Sequence, residues 1–185
     1  MAALAYAVEQ HAGQRRDGDG APFILHPIEV ATLLADVGAP DHVVAAGVLH
    51  DTIEKTSTEP AGLRERFGAR VAALVVALTE DPAISGYSAR KAALREQVEG
   101  AGEEALMVFA ADKVSKAREL SLTFARRAQT GGLRPSAKAH RKLTHYRHCA
   151  ELLEGRLPNS PLVESLRREV TDLEIAERAE LVGAS

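Results

Sequence analysis

Residues 45–56 read AAGVLHDTIEKT, an apolar run that ends in the adjacent polar residues His50 and Asp51. The preceding residues, from Val43 to Leu49, place apolar side chains at helical spacing. Neighbouring residues of a helix project about 100° apart, so His50 and Asp51 can reach one ion only if it lies between them at the helix surface. The stretch therefore predicts a helix that carries a candidate metal site at its end.

The same helical spacing of apolar residues recurs on both sides of this stretch. It predicts further helices over 28–34, 71–78, 106–114, 138–154 and 161–181, with Pro161 as the first residue of the last. Turn-forming residues predict links over 80–87 and 130–135. Strand-like alternation is scarcely visible, so we predict an all-α fold, a compact helical bundle.

Length and composition favour one domain. The chain has 185 residues, of which 45% are hydrophobic and only 4% aromatic, without Trp. This content suffices for one core and disfavours an all-β sandwich. We expect a single domain over 1–185, with its core over about 5–120 and its C-terminal helices over about 138–181.

Charge and cysteine content limit the partners and the compartment. The formal net charge of −3 argues against binding to a nucleic acid polymer, so any phosphate recognition must be local. The single cysteine, Cys149, cannot form an intramolecular disulfide and fits a reducing compartment as a packed thiol. No signal peptide or membrane span is visible, which predicts a cytoplasmic protein without a membrane partner. The oligomeric state is left open.

Two further segments carry side chains that could complete a metal site. His26 lies in PFILHP and Asp112 in AADK, and both would have to arrive from other helices to join His50 and Asp51. Two imidazoles and two carboxylates suit manganese, iron or a similar divalent ion. A lone histidine on an apolar helix is more often a core residue, so the order and the flanking sequence decide the interpretation.

Four segments, taken in order, resemble a known family: HAGQRRDGDGAPFILHPIEVATLL (11–34), AAGVLHDTIEKT (45–56), FGARVAALVVALTED (67–81) and ADKVSKAREL (111–120). They are similar to the HD-domain phosphohydrolases of the RelA/SpoT type. In size the chain is nearest to the stand-alone small alarmone hydrolases, such as the metazoan SpoT homolog. The tail over 142–173 resembles the C-terminal helices of single-domain members.

The resemblance implies a metal centre and a first acidic catalytic residue. His26, His50, Asp51 and Asp112 fall on the family's metal ligands, which usually hold manganese. Glu54 falls on the first of two acidic residues that orient or activate the attacking water, and it shares a helical face with His50.

The resemblance also implies a substrate and a reaction. Arg15 and Arg16 fall on the basic pair that packs against the guanine base, a role for which a planar guanidinium is apt. The implied reaction is hydrolysis of guanosine tetra- or pentaphosphate (ppGpp), the nucleotide of the stringent response, with release of the 3′-pyrophosphate. His11 belongs to the matched text but is expected only to support the pocket.

Two lysines depart from the family pattern. Lys55 occupies the second acidic catalytic position, and Lys116 replaces an asparagine that contacts the nucleotide. Each stands four residues after a candidate ligand, Lys55 after Asp51 and Lys116 after Asp112, which predicts an acid–ammonium pair on a helix face. Both lysines are therefore expected to weaken metal binding.

Three hypotheses follow from these lysines. In the first, hydrolysis persists with Glu54 as the only acidic water-positioning group, and the lysines, Lys55 at the catalytic position and Lys116 among the substrate-binding residues, bind phosphate oxygens of an altered substrate. In the second, the lysines partly replace the metal's charge and leave a nucleotide-binding sensor. In the third, both reach solvent, the metal binds normally and only the rate changes. A phosphatase of another nucleotide, such as NADPH, is an alternative. We favour the ppGpp hydrolase because all four ligand positions and Glu54 are kept.

A basic segment near the C-terminus carries His140, His145 and His148. The 145/148 pair has the spacing of a helical chelate, but no acidic or thiol partner accompanies it. We predict that these histidines lie on a solvated helix face.

Overall fold

The structure is a computed structural model that describes residues 2–129 and 137–182. Ten helices form in these ranges: α1 Ala2–Gln10, α2 Leu25–Asp36, α3 Asp41–Leu49, α4 Thr52–Lys55, α5 Pro60–Phe67, α6 Ala69–Ala77, α7 Tyr87–Gly100, α8 Glu103–Gln129, α9 Ala137–Arg156 and α10 Pro161–Val182. No strand forms in this part of the chain; Arg15 and Pro22 make an isolated β-bridge. The all-α prediction is confirmed.

The long helix α8 organises the bundle. It packs against α2 and α3 on one side and against α9 and α10 on another, with α6 and α7 also in contact. Its apolar stripe supplies Phe109 and Val114, both fully buried, to the core. Asp112 lies on the same stretch of helix, so one segment of α8 contributes both to the core and to a polar site inside it.

The predicted helices form, and the structure adds four that the apolar pattern did not indicate. These are α1, the one-turn helix α4, α5 and α7. Only Leu63 of α5 is buried, and only Leu94 and Val98 of α7, so their apolar stripes are too narrow to register as a period. The turn-rich link over 80–87 is observed up to the start of α7 at Tyr87. The link predicted over 130–135 lies outside the described residues.

Cys149 is a free, buried thiol on α9, as predicted. No helix in the described ranges is long and apolar enough to span a bilayer. The expectation of a single domain over 1–185 stays a prediction.

Candidate metal centre and active site

Three helices bring the four candidate ligands together. His26 is in the first turn of α2, His50 directly follows α3, and Asp112 lies inside α8. Asp51 begins the short helix α4 as its N-terminal cap. All four side chains are buried, although each is polar. Burying them together requires either mutual pairing or a bound cation.

Three candidate ligands, His26, His50 and Asp112, have ligand atoms within 4.8 Å of one another, and Asp51 lies beside the two histidines. His26 Nε2 lies 3.2 Å from His50 Nε2. Asp112 Oδ1 lies 3.1 Å from the first of these nitrogens and 3.4 Å from the second. Asp51 Oδ2 lies 3.6 Å and 3.4 Å from the same two nitrogens. The structure thus assembles the four residues that the sequence nominated.

The outer nitrogen of each histidine is held by a hydrogen bond. His50 Nδ1 lies 2.8 Å from the Gly47 carbonyl oxygen, to which it donates. His26 Nδ1 lies 2.8 Å from Ser115 Oγ, and this hydroxyl donates at 2.7 Å to Glu29 Oε2. Both arrangements put the proton on Nδ1 and leave the Nε2 lone pair for a metal.

The donor set fits a divalent cation. Asp51 Oδ2 and Asp112 Oδ1 are buried and make no well-aligned hydrogen bond to any described residue; the nearest cation is the Lys116 ammonium, and both oxygens are free to face an ion. Burial lowers the pKa of His26 to about 4, which keeps this imidazole neutral. Burial alone would raise the carboxyl pKa values, but the surrounding cationic side chains and histidines bring both below their usual range. Ionised carboxylates and a neutral imidazole are the forms that bind metal.

A cavity of about 720 Å³ adjoins this cluster, since Lys113 and Lys116 line it while their ammonium groups contact Asp112. Aromatic rings and cationic side chains share its wall. The rings are Phe23, Tyr87 and Tyr146; the cations include Arg15, Arg16, Lys55, Lys91, Lys116 and Lys142. Fewer carboxylates line it, namely Asp17, Glu54 and Glu119. Such a wall suits an anionic ligand with a flat ring.

The two arginines from the matched loop reach the cavity wall in different ways. Arg15 Nη1 donates at 2.9 Å to the Gly20 carbonyl, which holds the side chain along its own loop. Arg16 forms an ion pair with Asp19, whose carboxylate also accepts the Ala21 amide. The loop is thus braced by its own side chains, and both arginines line the cavity.

The two departing lysines behave differently, so one predicted pair is confirmed and the other is wrong. Lys116 Nζ lies 3.0 Å from Asp112 Oδ1, the helical pair predicted on α8. Lys55 Nζ instead lies 3.4 Å from Glu54 Oε1 and 5.5 Å from the centre of the Phe23 ring. The Lys55 amide bonds to the Asp51 carbonyl at 3.0 Å, so the backbone between them is helical. Their side chains nevertheless diverge, since the Asp51 carboxylate is buried beside His26 and His50 while Lys55 lines the cavity.

Some site residues were missed by the sequence analysis. Ser115 and Glu29 orient His26, and each stands three residues from a candidate ligand on its own helix, a spacing that could have drawn attention to them. Lys91 lines the cavity and pairs with Glu80. Little in the sequence marks Lys91 as a cavity residue, because a lysine on a polar helix is ordinarily solvated.

The prediction of a solvated histidine face is wrong for His145. This side chain is buried, lies at the cavity and contacts Arg95 Nη1 at 3.0 Å, whereas His140 is exposed beside Glu177. His11 is also buried. Its Nδ1 pairs at 2.9 Å with Oε1 of Gln14, a residue that lines the cavity.

Comparisons with known proteins agree with this geometry. The HD domain family model matches residues 3–130. The chain is 34% identical over 172 residues to the Mus musculus guanosine-3′,5′-bis(diphosphate) 3′-pyrophosphohydrolase MESH1, covering 91% of this chain and 90% of the relative. It is 44% identical over 78 residues to the Aquifex aeolicus enzyme of the same activity name, covering 42% of this chain but only 11% of that longer protein.

A solved structure described as a metazoan ortholog of SpoT that hydrolyzes ppGpp superposes with a TM-score of 0.78. It is 25% identical in sequence, and the match covers 93% of each chain. The family match and the mouse relative extend over most of the chain, and they confirm the resemblance drawn from the four motifs. The chain therefore belongs to the HD domain family.

Proposed function

We propose that this protein is a metal-dependent hydrolase that removes the 3′-pyrophosphate from guanosine tetra- or pentaphosphate. The observation that carries the proposal is the convergence of His26, His50, Asp51 and Asp112 beside a cavity lined by cations. The activity named for the mouse relative and for the metazoan structure supports the same substrate class.

The four ligands would hold the divalent ion, for which we propose Mn²⁺ because the donors mix imidazole and carboxylate. When bound, such an ion lowers the pKa of a coordinated water and polarises phosphoryl oxygens. Glu54 lines the cavity, and we assign it the role of orienting the attacking water and accepting its proton.

The bond changes balance without a redox step. The water oxygen forms a bond to the phosphorus attached to the ribose 3′-oxygen, and the bond between that phosphorus and the 3′-oxygen breaks. The 3′-oxygen leaves as a hydroxyl once it takes up a proton, so the products are pyrophosphate and GDP or GTP. Lys55, 3.4 Å from Glu54, would offset negative charge that develops on the reacting phosphoryl group.

Other cavity residues hold the substrate in this proposal. Arg15 and Arg16 would pack their guanidinium planes against guanine, and Lys116 would contact a phosphate oxygen. We also propose a cytoplasmic location, which the unpaired buried thiol of Cys149 supports.

The proposal is tested by pyrophosphate release from ppGpp with the purified chain and Mn²⁺. We expect turnover that requires the metal and is abolished by Asp51→Asn. Glu54→Gln should lower the rate by roughly 10²–10⁴-fold, as for loss of a general base. Glu65→Gln, an exposed change on α5, is the matched control and should keep the wild-type rate. Absence of GDP and pyrophosphate with the wild-type protein would overturn the proposal.

A nucleotide-binding sensor is the second candidate, favoured by the contact between Lys116 and Asp112. The same assay separates the two functions. A wild-type protein that binds ppGpp without hydrolysing it, beside a Lys55→Asp variant that releases pyrophosphate, would support the sensor. Release of inorganic phosphate from NADPH, with ppGpp left intact, would instead support the alternative substrate.

A further inference from the structure

The ammonium group of Lys116 lies close to the carboxylate oxygens that a bound metal ion would need. Its Nζ lies 3.0 Å from Asp112 Oδ1 and 3.8 Å from Asp51 Oδ2. Both oxygens are buried, and the Lys116 ammonium is close enough to form an ion pair with each. Asp112 Oδ1 also lies within 3.4 Å of Nε2 of both His26 and His50. The ammonium group therefore contacts the Asp112 oxygen that lies among the candidate metal-binding atoms of His26 and His50, and it also lies near Asp51.

A second ammonium completes the balance of charge around Asp112. Lys113 Nζ lies 2.5 Å from Asp112 Oδ2, so each oxygen of this carboxylate has its own lysine. Asp51 and Asp112 then face Lys113 and Lys116, and the formal charges cancel without an added cation. A divalent ion entering this cluster meets a neutral site and the repulsion of a neighbouring ammonium.

The Lys116 side chain can also turn toward the cavity. It is 28% exposed and lines the cavity, whereas the Asp112 side chain is 5% exposed. Lysine has a long stem with several rotatable bonds, so its ammonium can turn from the carboxylates toward the cavity without moving α8. There it would need an anion, because the neighbouring wall residues Lys91 and Lys142 are also cationic.

We propose that Lys116 is an internal cation that competes with the divalent metal for Asp51 and Asp112, and that an anion bound in the cavity releases it. Metal and anion then bind cooperatively, since each favours the arrangement with Lys116 turned outward. Thermodynamic linkage requires the effect to be reciprocal: the anion raises metal affinity by the factor by which metal raises anion affinity. The inference deepens the proposed function and rests on it for the identity of the site.

The other departing lysine does not share this role. Lys55 Nζ contacts Glu54 and lies over the Phe23 ring rather than beside a candidate ligand. Of the two lysines, Lys116 is the one within ion-pair distance of the candidate ligand oxygens, so a variant at this position tests the effect of that contact.

The first test measures Mn²⁺ affinity of the full chain from the electron paramagnetic resonance signal of free Mn²⁺. Lys116→Asn and Lys116→Met should bind Mn²⁺ at least about tenfold more tightly than the wild type. Lys116→Arg, which keeps the charge, should bind as weakly as the wild type. Lys138→Asn is the matched control, because it removes one charge from the exposed cavity rim. Equal affinity in Lys116→Met and wild type would overturn the competition.

The second test adds sodium sulfate, a dianion, against sodium chloride of equal ionic strength. Sulfate should tighten Mn²⁺ binding to the wild type severalfold and should leave Lys116→Met unchanged. An equal gain in both proteins would show that the anion acts through another residue. Should Lys116→Asn fail to fold without metal, the dependence of its thermal midpoint on Mn²⁺ concentration, set beside that of the wild type, gives the same comparison.

The outcomes separate this inference from the proposed function. Tighter Mn²⁺ binding by Lys116→Met without any ppGpp hydrolysis would contradict the function and leave the competition standing. Hydrolysis with unchanged Mn²⁺ affinity in the variant would contradict the competition alone.

Discussion

At the scale of single residues, the hydroxyl of Ser115 links the candidate metal site to charged side chains farther from it. It accepts from His26 and donates to Glu29, whose other oxygen pairs with Arg118 at 3.0 Å. Such outer contacts fix the orientation of a ligating imidazole.

We expect Ser115→Ala to weaken Mn²⁺ binding by about tenfold or more, because the His26 ring loses the acceptor that sets its tautomer. Calorimetric titration of Mn²⁺ into the metal-free variant measures this. Ser121→Ala removes a hydroxyl that only bonds back to its own helix at Ala117, and it should leave the affinity unchanged. A Ser115→Ala protein with wild-type affinity would contradict the assigned role.

His145 predicts a pH dependence of stability. Burial first, and then the positive charges of Lys113, Lys91 and Arg95, lowers its pKa from the ordinary 6.5. As the pH falls through 6.5, His145 therefore takes up a proton in the unfolded chain but stays neutral in the folded chain. The contribution of His145 to stability is complete above that pH and is lost as the pH falls below it.

We expect His145→Gln to flatten the dependence of unfolding free energy on pH below 6.5, by up to about 1.4 kcal/mol per pH unit. Urea unfolding at a series of pH values measures the slope. His140→Gln, on the exposed side of the same helix, is the control. An equal loss of slope in both variants would rule out a specific role for the buried ring.

At the scale of helices, Gly47 sets the distance between α2 and α3. A Cβ atom there would collide with Leu34 Cδ1 and lie 3.3 Å from Val30 Cγ1. The Gly47 carbonyl also accepts from His50 Nδ1, so this close approach positions a ligand as well.

Gly47→Ala should lower the free energy of unfolding by about 1–3 kcal/mol, since the added methyl overpacks a closed interface. Gly62→Ala is the matched change in α5, where a Cβ meets nothing within 4 Å. It should raise stability by up to about 1 kcal/mol, because alanine restricts the unfolded chain. Denaturant unfolding of both variants measures the two changes in the free energy of unfolding. Equal changes would contradict the packing argument.

At the scale of the whole molecule, the charge is unevenly distributed. The chain has a formal net charge of −3, yet cationic side chains outnumber carboxylates around the cavity. Local concentration of positive charge allows a small anionic ligand to bind where a long polyanion finds no matching surface.

We expect the affinity for ppGpp to fall as sodium chloride increases, and Lys142→Ala to weaken binding by about tenfold through loss of a charge-assisted contact. Arg156→Ala is the control, because this side chain lies far along α9 and faces Glu99. Titration of ppGpp into metal-free protein avoids turnover. Affinity that is insensitive to both salt and Lys142 would contradict ligand binding in this cavity.

The sequence by itself determined the features that depend on neighbours along the chain. Helical periodicity predicted α2, α3, α6, α8, α9 and α10, and the motif order nominated His26, His50, Asp51 and Asp112. The contact of Lys116 with Asp112 was also predictable, because residues four apart in an unbroken helix share a face.

Only the tertiary structure decided where side chains point at helix ends and between helices. The same spacing failed for Lys55, although its amide bonds to the Asp51 carbonyl as in a helix. The Lys55 ammonium pairs with Glu54, while the Asp51 carboxylate is buried beside His50. The burial of His145 and the Ser115–Glu29 link depend on which helix packs against which. Local sequence fixes direction within a helix, whereas contacts between helices come from packing of the whole core.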